Sequence, residues 1–362
     1  MTDNFDDILA FDPSQLAVNN PVEAPRQGGN MNIYRPRPVD SKSEDGVYRA
    51  QIKVCYNPFD LRRSVLEQQS YALQDATGWF SVVSSLTNND TSCPIFKAWK
   101  TCHYSKDAVL ANQAKSKEDG GKALFDKRYA RYVLIQILDD PNKPELNGKY
   151  MFWKLPKAVW EIINQKQSPT NPAKASIPVM DFLFGRAIDL EVKPGPGKPG
   201  DERYTRETSY SGELTEDIVS CVNPDMSSML TASQQLVLDQ YIEDMKAVWK
   251  EKDPTTRIEL KSAVDAKENT RTLRSFYRDV VEKIKTFCPN LIEELGYKPW
   301  SEETTNRVQA WINIVLAGND PTAVAPAAAN TVATATTTTA NPTPAATTAP
   351  DPMKDPDDDL PF

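Results

Sequence analysis

Cationic and aromatic side chains interleave most densely in two short stretches: Lys127, Arg128, Tyr129, Arg131 and Tyr132, then Lys149, Tyr150, Phe152, Trp153 and Lys154. Cations neutralise phosphates, and flat rings stack on unpaired bases for about 1 to 3 kcal/mol each, so together they suit a groove for single-stranded nucleic acid. About half of these rings would equally fill the core of a small barrel. Arg131 and Lys154 fit such a core less well, because unpaired buried charge is costly. Two more cations, Arg49 and Lys53, lie on the polar side of the alternating stretch 47–54, and Lys198 lies in the loop Lys193-Pro-Gly-Pro-Gly-Lys-Pro-Gly200. The expected phosphate contacts are therefore Arg49, Lys53, Arg128, Arg131, Lys149, Lys154 and Lys198. The expected stacking residues are Tyr129, Tyr132, Tyr150, Phe152 and Trp153. Successive strand residues face opposite ways, so about half of this set can line any one groove.

Other chemistries find less material. Cys93 with Cys102-His103 invites a zinc reading, but four ligands at finger spacing are missing and His103 is the chain's single histidine. No G-x-x-x-x-G-K-[ST], H-E-x-x-H or G-x-S-x-G occurs, and Gly195-Pro-Gly197-Lys-Pro-Gly200 lacks the helix that a phosphate cradle needs. Asp139 and Asp140 adjoin Pro141-Asn142, where Asp serves the backbone of a turn. The sequence predicts no enzyme, no cofactor, no metal and no small-molecule substrate. Five cysteines at irregular spacing fit reduced thiols.

The net charge of -8 is unevenly spread. Residues 1–25 hold five acids and no base, whereas residues 26–210 hold 28 Lys and Arg against 21 Asp and Glu, with 21 of the 32 aromatic residues. Residues 211–350 hold 13 against 19, and residues 351–362 one against five. A basic, aromatic body between acidic ends is the pattern. No run of 18 apolar residues exists, which predicts a cytoplasmic protein with no membrane partner.

Positioning elements follow from periodicity. Period-two patterns and turn residues predict strands over 47–54, 78–84, 129–138, 149–155, 187–193 and 203–208, with 129–155 as an antiparallel hairpin. Helical spacing predicts a helix over 157–166 and, beyond 226, helices over 233–250, 258–287 and 289–316, the last broken near 296–299. Residues 321–350 are almost wholly Ala, Thr, Pro and Asn, the composition of a flexible linker. The terminal Asp357-Asp358-Asp359-Leu360-Pro361-Phe362 sets carboxylates beside an apolar tip that suits a small hydrophobic pocket rimmed with Arg or Lys.

This tip resembles the acidic C-terminal peptide of bacterial single-stranded DNA-binding proteins. The resemblance implies that Asp357 to Phe362 recruit replication and repair proteins. The body resembles the helix-destabilising single-stranded DNA-binding proteins of tailed phages, whose core is an OB-fold. The matching stretches are Ser92-Cys93-Pro94, residues 132–155 with Asp140-Pro141 and Asn147-Gly148-Lys149, then Lys157-Ala-Val-Trp160 and Ile162-Ile163-Asn164. Similarity covers roughly residues 45–210. That family holds zinc through one His and three Cys. Of those positions only Cys93 matches, with Phe96 where the last Cys would fall, which implies a zinc-free core packed around Phe96 and Trp99. The family's basic N-terminal arm is replaced here by an acidic one.

The combined expectation is an α+β protein: an OB-fold-type antiparallel β-barrel over 31–225 followed by a helical subdomain over 226–318. An acidic, disordered arm over 1–30 would precede it, and a linker over 319–350 and a tip over 351–362 would follow. Its expected role is non-catalytic: coating single-stranded DNA during phage replication, recombination or repair, in the cytoplasm of an infected bacterium, with partners recruited through the tip. The tip would compete with DNA for the basic groove, and the Phe5-Asp6-Asp7-Ile8-Leu9 segment would either act similarly or be an inert arm. The alternative is a replisome protein-interaction scaffold without DNA binding of its own.

Overall fold

The alternation over 47–54 does form a strand, and its two sides set the plan of the molecule. A computed structural model describes residues 33–57, 59, 64–118, 120–171, 173–201, 203–204, 207–218 and 229–323. The expected arm, most of the linker and the acidic tip lie outside the described residues. Residues 33–68 with 130–296 form one compact unit, and residues 69–129 with 297–323 a second.

Strands β1 (Ile33–Tyr34), β2 (Tyr48–Cys55), β5 (Asp126–Asp139), β6 (Tyr150–Lys154), β7 (Arg186–Lys193) and β8 (Ser209–Ile218), in the first unit save residues 126–129, take the order β1-β6-β5-β2-β7-β8. Only β1 with β6 is parallel; the other pairs on this path are antiparallel. Strand β3 (Val65–Asp75) pairs with β5 and with β4 (Gly78–Val83), completing a mixed eight-stranded sheet. The sheet is not closed into a barrel. Helices supply the reason, because they cover both faces and the sheet has no need to curl on itself to exclude water.

One face carries Ala50, Ile52, Val54, Val133, Ile135, Trp153, Ile188 and Leu190 and packs on helix α3 (Lys157–Gln167) through Val159, Trp160 and Ile163. The other carries Cys55, Leu134 and Phe152 and packs on helices α4 (Ala232–Lys250), α5 (Pro254–Asp265), α6 (Glu268–Lys285) and α7 (Leu291–Leu295). The apolar stripe of α6, Leu273, Phe276, Tyr277, Val280, Val281 and Ile284, is buried in this cluster. These helices therefore share a core with the sheet instead of forming a separate subdomain. Thr231 and Gln234 start α4 with a reciprocal capping box. The helix expected over 258–287 is two helices. Lys267 is extended between them, and the buried Thr270 hydroxyl donates to the Val264 carbonyl at 2.8 Å.

In the second unit, the β3–β4 hairpin packs with α1 (Pro94–His103), α2 (Ala108–Ala114) and α8 (Glu302–Leu316) around Tyr71, Leu73, Val82, Ile95, Val308, Trp311 and Val315. The Trp311 indole donates to the Gln74 carbonyl and the Trp300 indole to the Val83 carbonyl, each at 2.9 Å. Sequence periodicity marks β4 but neither α1 nor β3. The strand expected over 203–208 lies instead at Ser209–Ile218, and Arg203 is paired with Glu207 at 2.7 Å.

Candidate nucleic-acid interface

Cross-strand register decides which candidates can act together. Lys53 opposes Gln136, and Gln136 opposes Tyr150; Cys55 opposes Leu134, and Leu134 opposes Phe152; Tyr132 opposes Lys154. With the two-residue alternation, Arg49, Lys53, Tyr132, Tyr150, Phe152 and Lys154 share one face of the sheet, while Arg131 and Trp153 lie on the other. So the candidates divide between two faces.

Helices α4 to α7 cover the centre of the first face, and burial withdraws three of the expected residues from solvent. Phe152 is fully buried there, and Trp153 is 2 % exposed in the opposite core. Lys53 has no exposed surface, and its ammonium donates to the Asp181 carbonyl oxygen at 2.6 Å. The alternation that puts Arg49 in water puts Lys53, four residues on, under the helical layer. All three are buried, against the exposure that the sequence reading expects of them.

Lys53 belongs to a buried polar cluster. The Asp181 carboxylate accepts from the Leu183 and Phe184 amides at 2.7 and 2.9 Å and from the Tyr277 hydroxyl of α6. Burial pushes the Asp181 carboxyl up, against these donors and the Lys53 charge. Burial likewise drives the Tyr277 hydroxyl well up, helped by the neighbouring Asp181. Gly185 leaves room for the ammonium: a Cβ there would stand 1.9 Å from Lys53 Nζ.

The exposed candidates differ in how occupied they are. Arg49 is held by Asp45 at 2.7 Å and Glu191 at 3.0 Å, beside Gln51 bonded to Asp189, so its end of the sheet is rich in carboxylates. On the opposite face Arg131 is paired with Glu67 and lies 4.2 Å from the Trp160 ring centroid. At the rim of the first face, Tyr132 and Tyr150 are partly buried against the helical cluster, Lys154 is half-buried, and Lys149 is exposed. Lys198 is exposed in its loop, its amide donating to Asp201 at 2.8 Å. Arg128 and Tyr129 belong to the second unit, where Arg128 pairs with Asp126 at 3.1 Å and Lys127 lies 4.6 Å from the Tyr129 ring centroid.

Asp140 is buried, accepting from the Tyr34 and Tyr48 hydroxyls at 2.8 and 2.6 Å and from the Asn142 and Lys143 amides at 2.9 and 3.1 Å. It holds the β5–β6 turn, the structural role expected for it. Burial and this carboxylate together raise both tyrosine hydroxyls far above their usual range. Cys93 and Cys102 are buried in the second core, while His103 is exposed. Among the described residues no group of three or more His, Cys, Asp or Glu side chains gathers as a metal site would need. No described helix is long and apolar enough to cross a membrane.

Sequence reasoning takes Phe96 and Trp99 as core packing and His103 as a possible ligand, and overlooks that the three share one side of α1. Their spacing of three and four residues is a readable helical signal, masked by the Cys and His residues of the same segment, which draw attention to metal ligation. No protein-family model matches the chain, and a search of curated proteins finds no match.

Proposed function

We propose that the protein binds single-stranded nucleic acid, DNA in the first instance, without catalysing a reaction on it. The observation that carries the reading is the cross-strand set at the rim of the β5–β6 hairpin: Tyr132 opposite Lys154, with Tyr150 next to Lys149. A ring beside a cation at each end of β6 meets the two needs of an unpaired strand, a surface for bases and a counter-charge for phosphates. Little sequence would be read, since every base has a π-face.

An OB-type relationship is part of this proposal, resting on the antiparallel β2–β5–β6 core and the helix that follows it, the region of resemblance to the phage proteins. Coating of DNA in phage replication, recombination or repair, and recruitment of partners by Asp357 to Phe362, follow from the resemblances and stand as part of the same proposal.

Titration of labelled oligo-dT with the full chain at two salt concentrations tests the reading. Affinity should fall as salt rises, and Lys149→Ala with Lys154→Ala should reduce the slope of log K against log salt by about 0.7 for each phosphate left without its cation. Salt-independent binding, or a slope unchanged in the double variant, would remove the hairpin rim from the interface.

A further inference from the structure

Helix α1 presents two unlike sides. Ile95, Ala98 and Cys102 are buried in the core of the second unit. Phe96, Trp99 and His103 recur at helical spacing on another side and form a ladder. Phe96 and Trp99 are stacked, with centroids 5.8 Å apart and planes 10° from parallel; Trp99 and His103 are stacked at 4.7 Å and 17°. Tyr104, 74 % exposed, meets the edge of His103 at 4.8 Å. Phe96 and Trp99 are half-buried and His103 is exposed, so the ladder runs from the core margin out into solvent.

Cations accompany the rings. Lys100 lies 4.6 Å from the Phe96 centroid, and Lys127 lies 6.0 Å from the same ring and 4.6 Å from that of Tyr129. Lys127 thus bridges α1 and the start of β5. Large rings left accessible at a helix end forgo the benefit of burial, and a contiguous set of them marks a surface that something else covers.

We infer that this ladder is a second stacking site for single-stranded nucleic acid, with His103, backed by Trp99, and Tyr104 taking bases and Lys100 and Lys127 taking phosphates. Charge complementarity selects the occupant: Lys100 and Lys127 flank the Phe96 end of the ladder, so an unpaired strand can set bases on the exposed rings and phosphates by these cations, and no carboxylate is a member of the ladder. The inference rests on the ligand class proposed above, but on a different unit and different residues.

The test uses the full chain and oligo-dT carrying 5-iodouracil, cross-linked by ultraviolet light and mapped by mass spectrometry. Adducts on His103 or Tyr104 are expected. His103→Ala with Tyr104→Ala, both at exposed positions, should weaken oligo-dT binding about thirtyfold or more, and Lys127→Gln should lower the salt dependence. Binding with adducts confined to the β5–β6 hairpin and full affinity in these variants would overturn the ladder while leaving the hairpin reading intact. Absence of oligo-dT binding by the unaltered chain would overturn both. Variants that bind oligo-dT normally but no longer capture an acidic peptide would make the ladder a protein-docking site and also overturn the inference.

Discussion

Removing the Asp75 charge should loosen the second unit in a pH-dependent way. Asp75, at the end of β3, is 8 % exposed and takes both arms of the Arg307 guanidinium from α8, at 2.7 Å on Oδ2 and 3.0 Å on Oδ1. Thr77 adds its amide at 2.8 Å and its hydroxyl at 2.6 Å. Burial alone would raise this carboxyl, but the Arg307 fork and the Thr77 donors outweigh it and hold it down at about 2, against an ordinary value of 3.8. A depressed carboxyl contributes stability that is fully present above the unfolded-state value and disappears as pH falls through the folded one. The shift corresponds to about 2.4 kcal/mol, and solvent at the one-third-exposed Arg307 trims this to about 2 kcal/mol. Asp75→Asn keeps the shape and an acceptor oxygen while losing the charge. By urea unfolding followed through tryptophan fluorescence, wild type should exceed this variant by about 2 kcal/mol at pH 7, about 1 at pH 3 and about 0.4 at pH 2. A difference that stays constant from pH 7 to pH 3 would refute the reasoning, since it would assign the effect to packing and not to the ion pair.

Two further outcomes concern the buried cluster of the first unit. Tyr277→Phe deletes the hydroxyl that reaches Asp181 from α6 and should cost about 1 to 3 kcal/mol, read as a lower melting temperature. Lys53→Met should destabilise by about 3 kcal/mol, because it leaves a buried carbonyl and carboxylate without their cation. Its folded fraction should bind oligo-dT as wild type does, and a selective drop in affinity would show that Lys53 reaches the nucleic acid after all.

Local pattern is a sufficient guide where each residue's fate depends on its immediate neighbours. Strand β2, the β5–β6 hairpin and α3 are legible because period two, period 3.6 and the Asp140-Pro141-Asn142 turn are written in adjacent residues. Strand β3 is not, since Glu67, Gln68, Gln69 and Ser70 interrupt its apolar positions and its burial does not alternate. The break between α5 and α6 carries no Gly or Pro; it is marked by the extended Lys267 and the buried Thr270 hydroxyl on the Val264 carbonyl, which residue types alone do not announce. The same limit governs the site. Alternation separates the two sides of β2 correctly, yet it cannot say that one side passes from water at Arg49 to the helical layer at Lys53. Nor can it say that Phe152 lies under α4 and α6 while Tyr132 and Lys154, on the same face, remain at the rim. Burial of that kind is set by which element covers the sheet.

The central claim is that unpaired nucleic acid is the ligand of this chain. Competition between labelled oligo-dT and unlabelled single- or double-stranded DNA of equal length, at one salt concentration, tests it most directly. The account predicts that single strands displace the label at far lower concentration than duplex does. Equal displacement by the two, or no binding of the label at all, would contradict it.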